Sequence, residues 1–336
     1  MPIFRSRWLR RLGALAVLGA LAIAGYGAWY VNSPLQVAAL PLEFEVPPGS
    51  GLRTAARLLE KTGIAVRPLS FELWARITGR AGDIKAGNYE LTAPTTPEGL
   101  LDKLTRGEVT QAEIRIIEGW TFAQLRAALD ASPVLRHDSA GLSDAEVLER
   151  VGATREHPEG LFFPDTYLFA RQSSDLAVLR RAYRAMQRHL EEEWQQRRQG
   201  LPYAAPYDAL IMASIVEKET GRAEDRDRIA GVLVNRLRIG MALQTDPTVI
   251  YGLGESFDGN LKRVHLATDG PYNTYLRTGL PPTPIALPGR ASLRAALQPA
   301  QTKELYFVSR GDGTSHFSRS LEEHNRAVSK YQLKRK

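Results

Sequence analysis

The chain of 336 residues contains no cysteine. That excludes disulfides, Cys-ligated zinc, iron–sulfur clusters and thiol chemistry. It leaves the compartment open, because a chain without thiols is safe in oxidising surroundings. Histidine is scarce: six residues, at 137, 157, 189, 265, 316 and 324, with no HExxH or other close ligand pair. Neither a metal site nor a cofactor is expected, and His316 and His324 read as hairpin and helix-cap residues. No GxSxG segment is present, so a Ser-His-Asp hydrolase is disfavoured. A basic groove is lacking too. The net charge is +7, but Arg5, Arg7, Arg10 and Arg11 account for four of it before residue 12, and Lys334, Arg335 and Lys336 cluster at the other end. No nucleic-acid partner is expected. The 43% hydrophobic and 24% charged residues are ordinary globular composition, excluding global disorder, collagen and coiled coil. The length suits about two domains of ~100–200 residues each.

What is present begins at the N-terminus. Leu12–Val31, LGALAVLGALAIAGYGAWYV, is twenty residues without a charge, the helix length that crosses a hydrocarbon core of about 30 Å. The four preceding arginines hold residues 1–11 in the cytoplasm, and Tyr26, Trp29 and Tyr30 stand where aromatic rings favour the interface. Ala20-Leu21-Ala22 and Ala22-Ile23-Ala24 also fit signal-peptide cleavage. A retained anchor is preferred because the apolar stretch continues past either site. Either way, residues 32–336 are expected outside the cytoplasm.

Beyond the span, residues 32–42 read as a tether. Over 43–110 the pattern alternates β-α-α-β: strand Phe44–Val46, helix LRTAARLLEKTGI, a helix near Ser70–Thr78, and a strand opened by Gly87. A further helix, Thr96–Arg106, stops at Gly107. This small α/β module looks LysM-like, a kind that binds N-acetylated glycans; a spacer domain is the alternative. Residues 111–336 form a larger mixed α+β region. It opens with strand Glu113–Ile117 and helix Phe122–Leu129, passes a poorly defined linker at 131–157, and continues through EGLFFPDTYLF and an amphipathic helix in Asp175–Gly200. The whole chain therefore reads as α+β.

The chemistry points to DALIMASIVEKETG. Asp208 reads as N-cap and Gly221 as the stop. At about 100° per residue, Glu219 shares the apolar stripe of Met212, Ile215 and Val216, whereas Glu217 lies about 160° away. Partial burial and the negative end of the helix dipole both favour a protonated Glu219, as a general acid requires. A capping or salt-bridging glutamate, for instance to Arg222, is the plainer account of the pattern alone, and Glu217 remains a secondary candidate. After helix Asp227–Arg238 comes MALQTDPTVIYG, read as a loop rich in hydroxyl, amide and carboxylate groups, then PYNTY and the rigid GLPPTPI. Gln244, Asp246, Thr248, Tyr251, Tyr272, Asn273 and Tyr275 are thus candidate sugar-binding residues, with irregular core as the alternative. Leu305–Val308 and His316–Ser318 read as a hairpin.

SIVEKET, NRLRIGMALQTDPTVIYG, PYNTY, GLPPTPIALPG, LYFVSRGDGTSHFS and EHN, with EGLFFPDTYLF upstream, resemble the YceG-like endolytic murein transglycosylases. The resemblance covers nearly the whole chain. It implies a single-pass inner-membrane enzyme of cell-wall biogenesis, a lytic transglycosylase and lyase that cuts nascent peptidoglycan between N-acetylmuramic acid and N-acetylglucosamine. It also implies that the second glutamate of Glu-Lys-Glu, Glu219, is catalytic, and that peptidoglycan synthases and division proteins are partners. If the enzyme were a hydrolase, Asp246 would be the second carboxylate. The alternative from another class is a non-catalytic peptidoglycan-binding scaffold.

Overall fold

A computed structural model describes residues 3–47, 49–109, 111–219 and 222–333, with the side chains of residues 3–14, 16, 43 and 111 outside that description. The chain divides into two compact units, residues 1–112 with 169–171, and residues 113–168 with 172–336.

In the first unit, α1 runs Ile3–Asn32 as one helix. Leu18, Leu21, Ile23 and Trp29 on it are exposed. Among the described residues no helix is long and apolar enough to cross a membrane, and the expected span at 12–31 includes side chains outside that set. Strand β1 (Leu42–Val46) is followed by α2 (Leu52–Lys61) and α3 (Pro68–Ile77). Strand β2 (Gly87–Leu91) then pairs antiparallel with β1, setting Phe44 opposite Tyr89. Their rings stack at 5.5 Å over a core of Leu59, Phe71, Leu100, Leu101 and Leu104. The last three come from α4 (Pro97–Arg106). The Thr96 side chain caps it by accepting the Gly99 N–H, and Gly107 ends it at φ 71°, a left-handed turn that only glycine enters without strain. Helix α3 starts two residues before its expected position because Pro68 supplies a first-turn residue that needs no hydrogen-bond acceptor.

Strand β3 (Gln111–Arg115) carries the chain from the first unit into the second, and α5 (Phe122–Asp130) follows, its start carrying a reciprocal Thr121–Gln124 capping box. The expected linker carries secondary structure. It holds the short β4 (Leu135–Arg136) and α6 (Asp144–Val151), the latter with a Ser143–Glu146 capping box. Next come β5 (Thr166–Ala170), β6 (Ser173–Ser174) and α7 (Asp175–Gln195).

Helix α8 (Pro206–Glu219) is the hub: Ala209 through Val216 are all buried, as expected of a helix apolar on every side. It packs against α7, α9 (Ala223–Arg238), α10 (Asp246–Leu253) and α12 (Arg290–Leu297). A short α11 (Arg263–Ala267) precedes α12. The unit closes with the hairpin β7 (Tyr306–Ser309) and β8 (Ser315–Ser318), then α13 (Leu321–Val328) and one wider helical turn, Ser329–Leu333.

Three local expectations are corrected here. Asp208 is not the N-cap; it sits in the first turn, and its carboxylate accepts the N–H groups of Ala204 and Ala205. Helix α9 starts a turn earlier than Asp227, with Glu224 and Asp225 favourably placed at its positive end. The expected loop at 241–252 is helical from Asp246, because Asp246 and Pro247 open a helix well and Thr248 and Val249 bury. Gly221, the expected stop of α8, lies outside the described residues.

Candidate active site

Glu219 is the last residue of α8. Its two predecessors fasten the helix end. Glu217 accepts the Gly289 N–H at 3.0 Å, and the Lys218 ammonium donates to the Gly119 carbonyl at 3.2 Å. Glu217 therefore holds the start of α12 and does not line the cleft into which Glu219 opens. That cleft, of about 600 Å³, is lined by Glu219, Arg236, Gln244, Asp246 and Tyr275, and walled by residues of β7, β8 and α13 with Gln332.

The electrostatics follow from burial. Glu219 is only partly accessible, and desolvation, with the Asp246 charge adding to it, pushes its carboxyl up to about 7 while Arg236 pulls the other way. Asp246 accepts a hydrogen bond from the Tyr275 hydroxyl. Gln244 has φ 52°, a left-handed conformation that costs a non-glycine residue about 1–3 kcal/mol, and its N–H donates to the Thr274 carbonyl at 3.0 Å. Its side chain is thereby presented to the cleft on a strained turn. Tyr306 stacks on His324 at 5.2 Å between centroids. Burial and the nearby Arg236 charge hold His324 below the ordinary histidine range, so a neutral imidazole and a phenol form one wall.

Four of the expected binding residues have other work. Thr248 is fully buried and bonds Thr245 and Thr274. Asn273 is buried, donates to the carbonyls of His265, Leu266 and Thr268, and accepts the Tyr275 N–H. It shapes the turn that delivers Tyr275. Tyr272 bonds Thr283 at 2.8 Å and meets Tyr251 edge-on. Tyr251 donates to Glu159 at 3.0 Å.

Glu159, from the EGLFFPDTYLF segment, is a second buried acid. One oxygen accepts the Phe122 N–H at the start of α5, the other the Tyr251 hydroxyl on α10. Burial pushes it up to about 7. It borders a separate cavity of about 460 Å³ with Arg126, His157 and Tyr251.

Sequence reasoning did not single out Arg236, Tyr306, His324 or Glu159 as site residues. The NRL, LYF, EHN and EGL segments that carry them were visible, but nothing in their spacing says that they fold around these acids.

Two other features lie outside this cleft. A larger cavity of about 920 Å³ is lined by Arg198, Arg228 and Arg238. Those arginines are taken up by the Pro299 carbonyl, Glu304 and the Gly200 carbonyl. Asp130, His137 and Asp175 bring ligand atoms within 4.8 Å of one another. Asp175, however, already accepts the Ser139 N–H and hydroxyl and the Leu176 N–H, the surroundings of a satisfied carboxylate rather than of a cation.

A partly buried acid raised to about 7, facing amide, carboxylate and aromatic groups across an open cleft, has the chemistry that acid–base work requires, and it sits on an α+β scaffold. The family to which this scaffold belongs follows from comparison. The model of the YceG-like family matches residues 44–330, and the chain belongs to that family. A Bacillus subtilis (strain 168) protein named endolytic murein transglycosylase is 32% identical over 307 residues, spanning 86% of this chain and 84% of its own length. A Streptococcus pneumoniae (D39) protein of the same name is 28% identical over 368 residues, covering 94% of this chain but 64% of the relative. A crystal structure of a YceG-like protein from Listeria monocytogenes superposes with a TM-score of 0.54 at 31% identity, covering 85% of this chain and 98% of that one.

Proposed function

We propose that this protein is an endolytic lytic transglycosylase of peptidoglycan, with Glu219 as its single acid–base residue. The observation that carries the reading is Glu219 itself, a carboxyl raised to about 7 at the end of a buried helix and open to the cleft. The names of its relatives support the substrate class. In the first step Glu219 donates its proton to the glycosidic oxygen between N-acetylmuramic acid and N-acetylglucosamine as the C1–O bond breaks. The developing positive charge at C1 is relieved by the sugar's own groups. Glu219, now a carboxylate, takes the proton of the C6 hydroxyl as that oxygen closes on C1. The product is a 1,6-anhydromuramoyl end, and no water is consumed. Gln244, Asp246 and Tyr275 hydrogen-bond the sugars.

Anchoring in the cytoplasmic membrane by α1, with the remainder outside the cytoplasm, is part of the same proposal. It is supported by the uncharged run at 12–31 and the exposed apolar side chains of α1. The unit at 43–110 is proposed to engage glycan as a LysM-like module, supported by its two-stranded sheet backed by helices. Coupling to synthases and division proteins would place the cut on strands still being made and so end their elongation.

The test is incubation of the full-length chain in detergent with polymeric uncrosslinked glycan, followed by mass spectrometry. Fragments one water lighter than reducing-end products, lost in Glu219→Gln, are expected. Reducing ends would mean a hydrolase with Asp246 as its second carboxylate, and intact but bound glycan would mean a scaffold.

A further inference from the structure

Arg236 lies on α9 and lines the same cleft as Glu219, yet it is only 6% exposed. Its guanidinium is held by carbonyls. Nε donates to Leu305 at 2.7 Å, and Nη1 donates to Leu243 at 2.7 Å and Ala242 at 3.3 Å. The Tyr306 ring stands 5.3 Å from its central carbon. Among the described residues no carboxylate pairs with it directly. That is unusual for a buried arginine, because removing a cation from water is expensive unless an anion compensates. Carbonyl dipoles orient the group but leave its unit charge in place. They rigidly fix a positive charge in the wall of the cleft.

The groups that face Glu219 narrow what this charge acts on. Asp246 comes from α10, Tyr275 from the turn after α11, Tyr306 from β7 and His324 from α13. On its own helix, Glu217 and Lys218 are bound to Gly289 and Gly119. Burial keeps Tyr275 a neutral phenol and His324 a neutral imidazole. The formal charges in the cleft are therefore Asp246, Arg236 and Glu219 once ionised. Asp246 favours the protonated acid and Arg236 the carboxylate. A group that must first donate and then accept a proton needs both influences.

We propose that Arg236 is the fixed counter-charge of Glu219, a positioning residue that stabilises the carboxylate left when the proton moves to the glycosidic oxygen and C1–O breaks. The electron pair of that bond stays on the leaving oxygen with the transferred proton. In the return step the C6 hydroxyl proton restores Glu219, so no further reactant is required. Arg236 acts in the transition state of both halves, where charge on Glu219 is partly formed, and stabilisation there raises kcat rather than lowering KM. The inference rests on the assignment of Glu219 made above.

The experiment is the pH dependence of glycan cleavage by the full-length chain in detergent, for the unaltered protein and for Arg236→Gln, Arg236→Lys and Glu219→Gln. Glutamine keeps a donor for the carbonyls but removes the charge; lysine keeps the charge but not the fork. For Arg236→Gln the alkaline limb is expected to move up by about one pH unit, a tenfold change in the acid/base ratio at fixed pH. Its plateau kcat should fall about tenfold at unchanged KM. Arg236→Lys should keep the limb where the unaltered protein has it, so that a displaced lysine limb overturns the proposal even if the glutamine variant does not fold. A lysine limb displaced by about a unit, a glutamine limb that stays, or a change confined to KM overturns the counter-charge. Activity in Glu219→Gln would instead overturn the assignment of Glu219. An inactive Glu219→Gln beside an unmoved Arg236→Gln limb sinks only the role of Arg236.

Discussion

At the scale of single residues, the proposed function rests on one carboxyl, Glu219, whose protonation is set by its surroundings. Replacing Glu219 by Gln preserves shape and removes the proton, so turnover is expected to fall by at least about 10²–10⁴-fold, measured as release of anhydro-ended fragments. Because burial raises Glu219 to about 7, activity should be lost as pH rises through that value. Stability has the same sign. The folded state holds the proton more tightly than the unfolded chain, so this contribution is full below about 4.5 and disappears between 4.5 and 7. Melting curves over that window should therefore fall more steeply for the unaltered protein than for Glu219→Gln. Asp246→Asn removes a charge that keeps Glu219 protonated, so its alkaline limb should move to lower pH and turnover at pH 7 should drop. A limb that stays put would show that Asp246 does not act on Glu219. Helical spacing put Glu219 rather than Glu217 on the apolar stripe. The partners Arg236 and His324, which stand 17 and more than 100 positions further along the sequence, had no local signature.

At the scale of elements, α10 is the piece most altered by folding. Its MALQTDPTVIYG segment reads as a polar loop because Gln244, Thr245, Asp246, Thr248 and Tyr251 can all bond a sugar. Yet the helix turns Asp246 toward the cleft, buries Thr248 and sends Tyr251 to Glu159. Glu159 thus ties the start of α5 to α10. Glu159→Ala should leave the buried Phe122 N–H unsatisfied, costing about 1–3 kcal/mol, and take one partner from the half-buried Tyr251 hydroxyl, whereas Tyr251→Phe removes only one donor. Chemical denaturation of the two variants should rank them in that order, and equal loss would mean that Glu159 is not the shared clamp. The Gly107 stop was legible in the sequence, whereas Thr96 read as the first helical residue and Asp208 as a cap. Thr96 with Gly99, and Gly107 as a left-handed stop, are local events within one turn.

At the scale of the whole molecule, the first unit has a core of its own around Phe44, Tyr89, Leu100, Leu101 and Leu104. Leu101→Ala is expected to destabilise that unit by roughly 2–5 kcal/mol. Limited proteolysis should then show cleavage within residues 43–110 ahead of the rest. The uncharged run at 12–31 leads to a cellular prediction: the full chain should stay with membranes after alkaline carbonate extraction, and release into the supernatant would remove the anchor from the proposal. By itself the sequence determined several elements, among them strand β1, the helix that stops at Gly107 and the C-terminal hairpin, and the nomination of Glu219 over Glu217. These depend on hydrophobic period, caps and charge, which act over a few residues. Only the tertiary structure decided which polar groups share the cleft. Thr248 and Asn273 turned inward to satisfy buried backbone and hydroxyl groups, while Arg236, Tyr306 and His324 came in from α9, β7 and α13. Long-range packing against α8, not spacing along the chain, sets those neighbours.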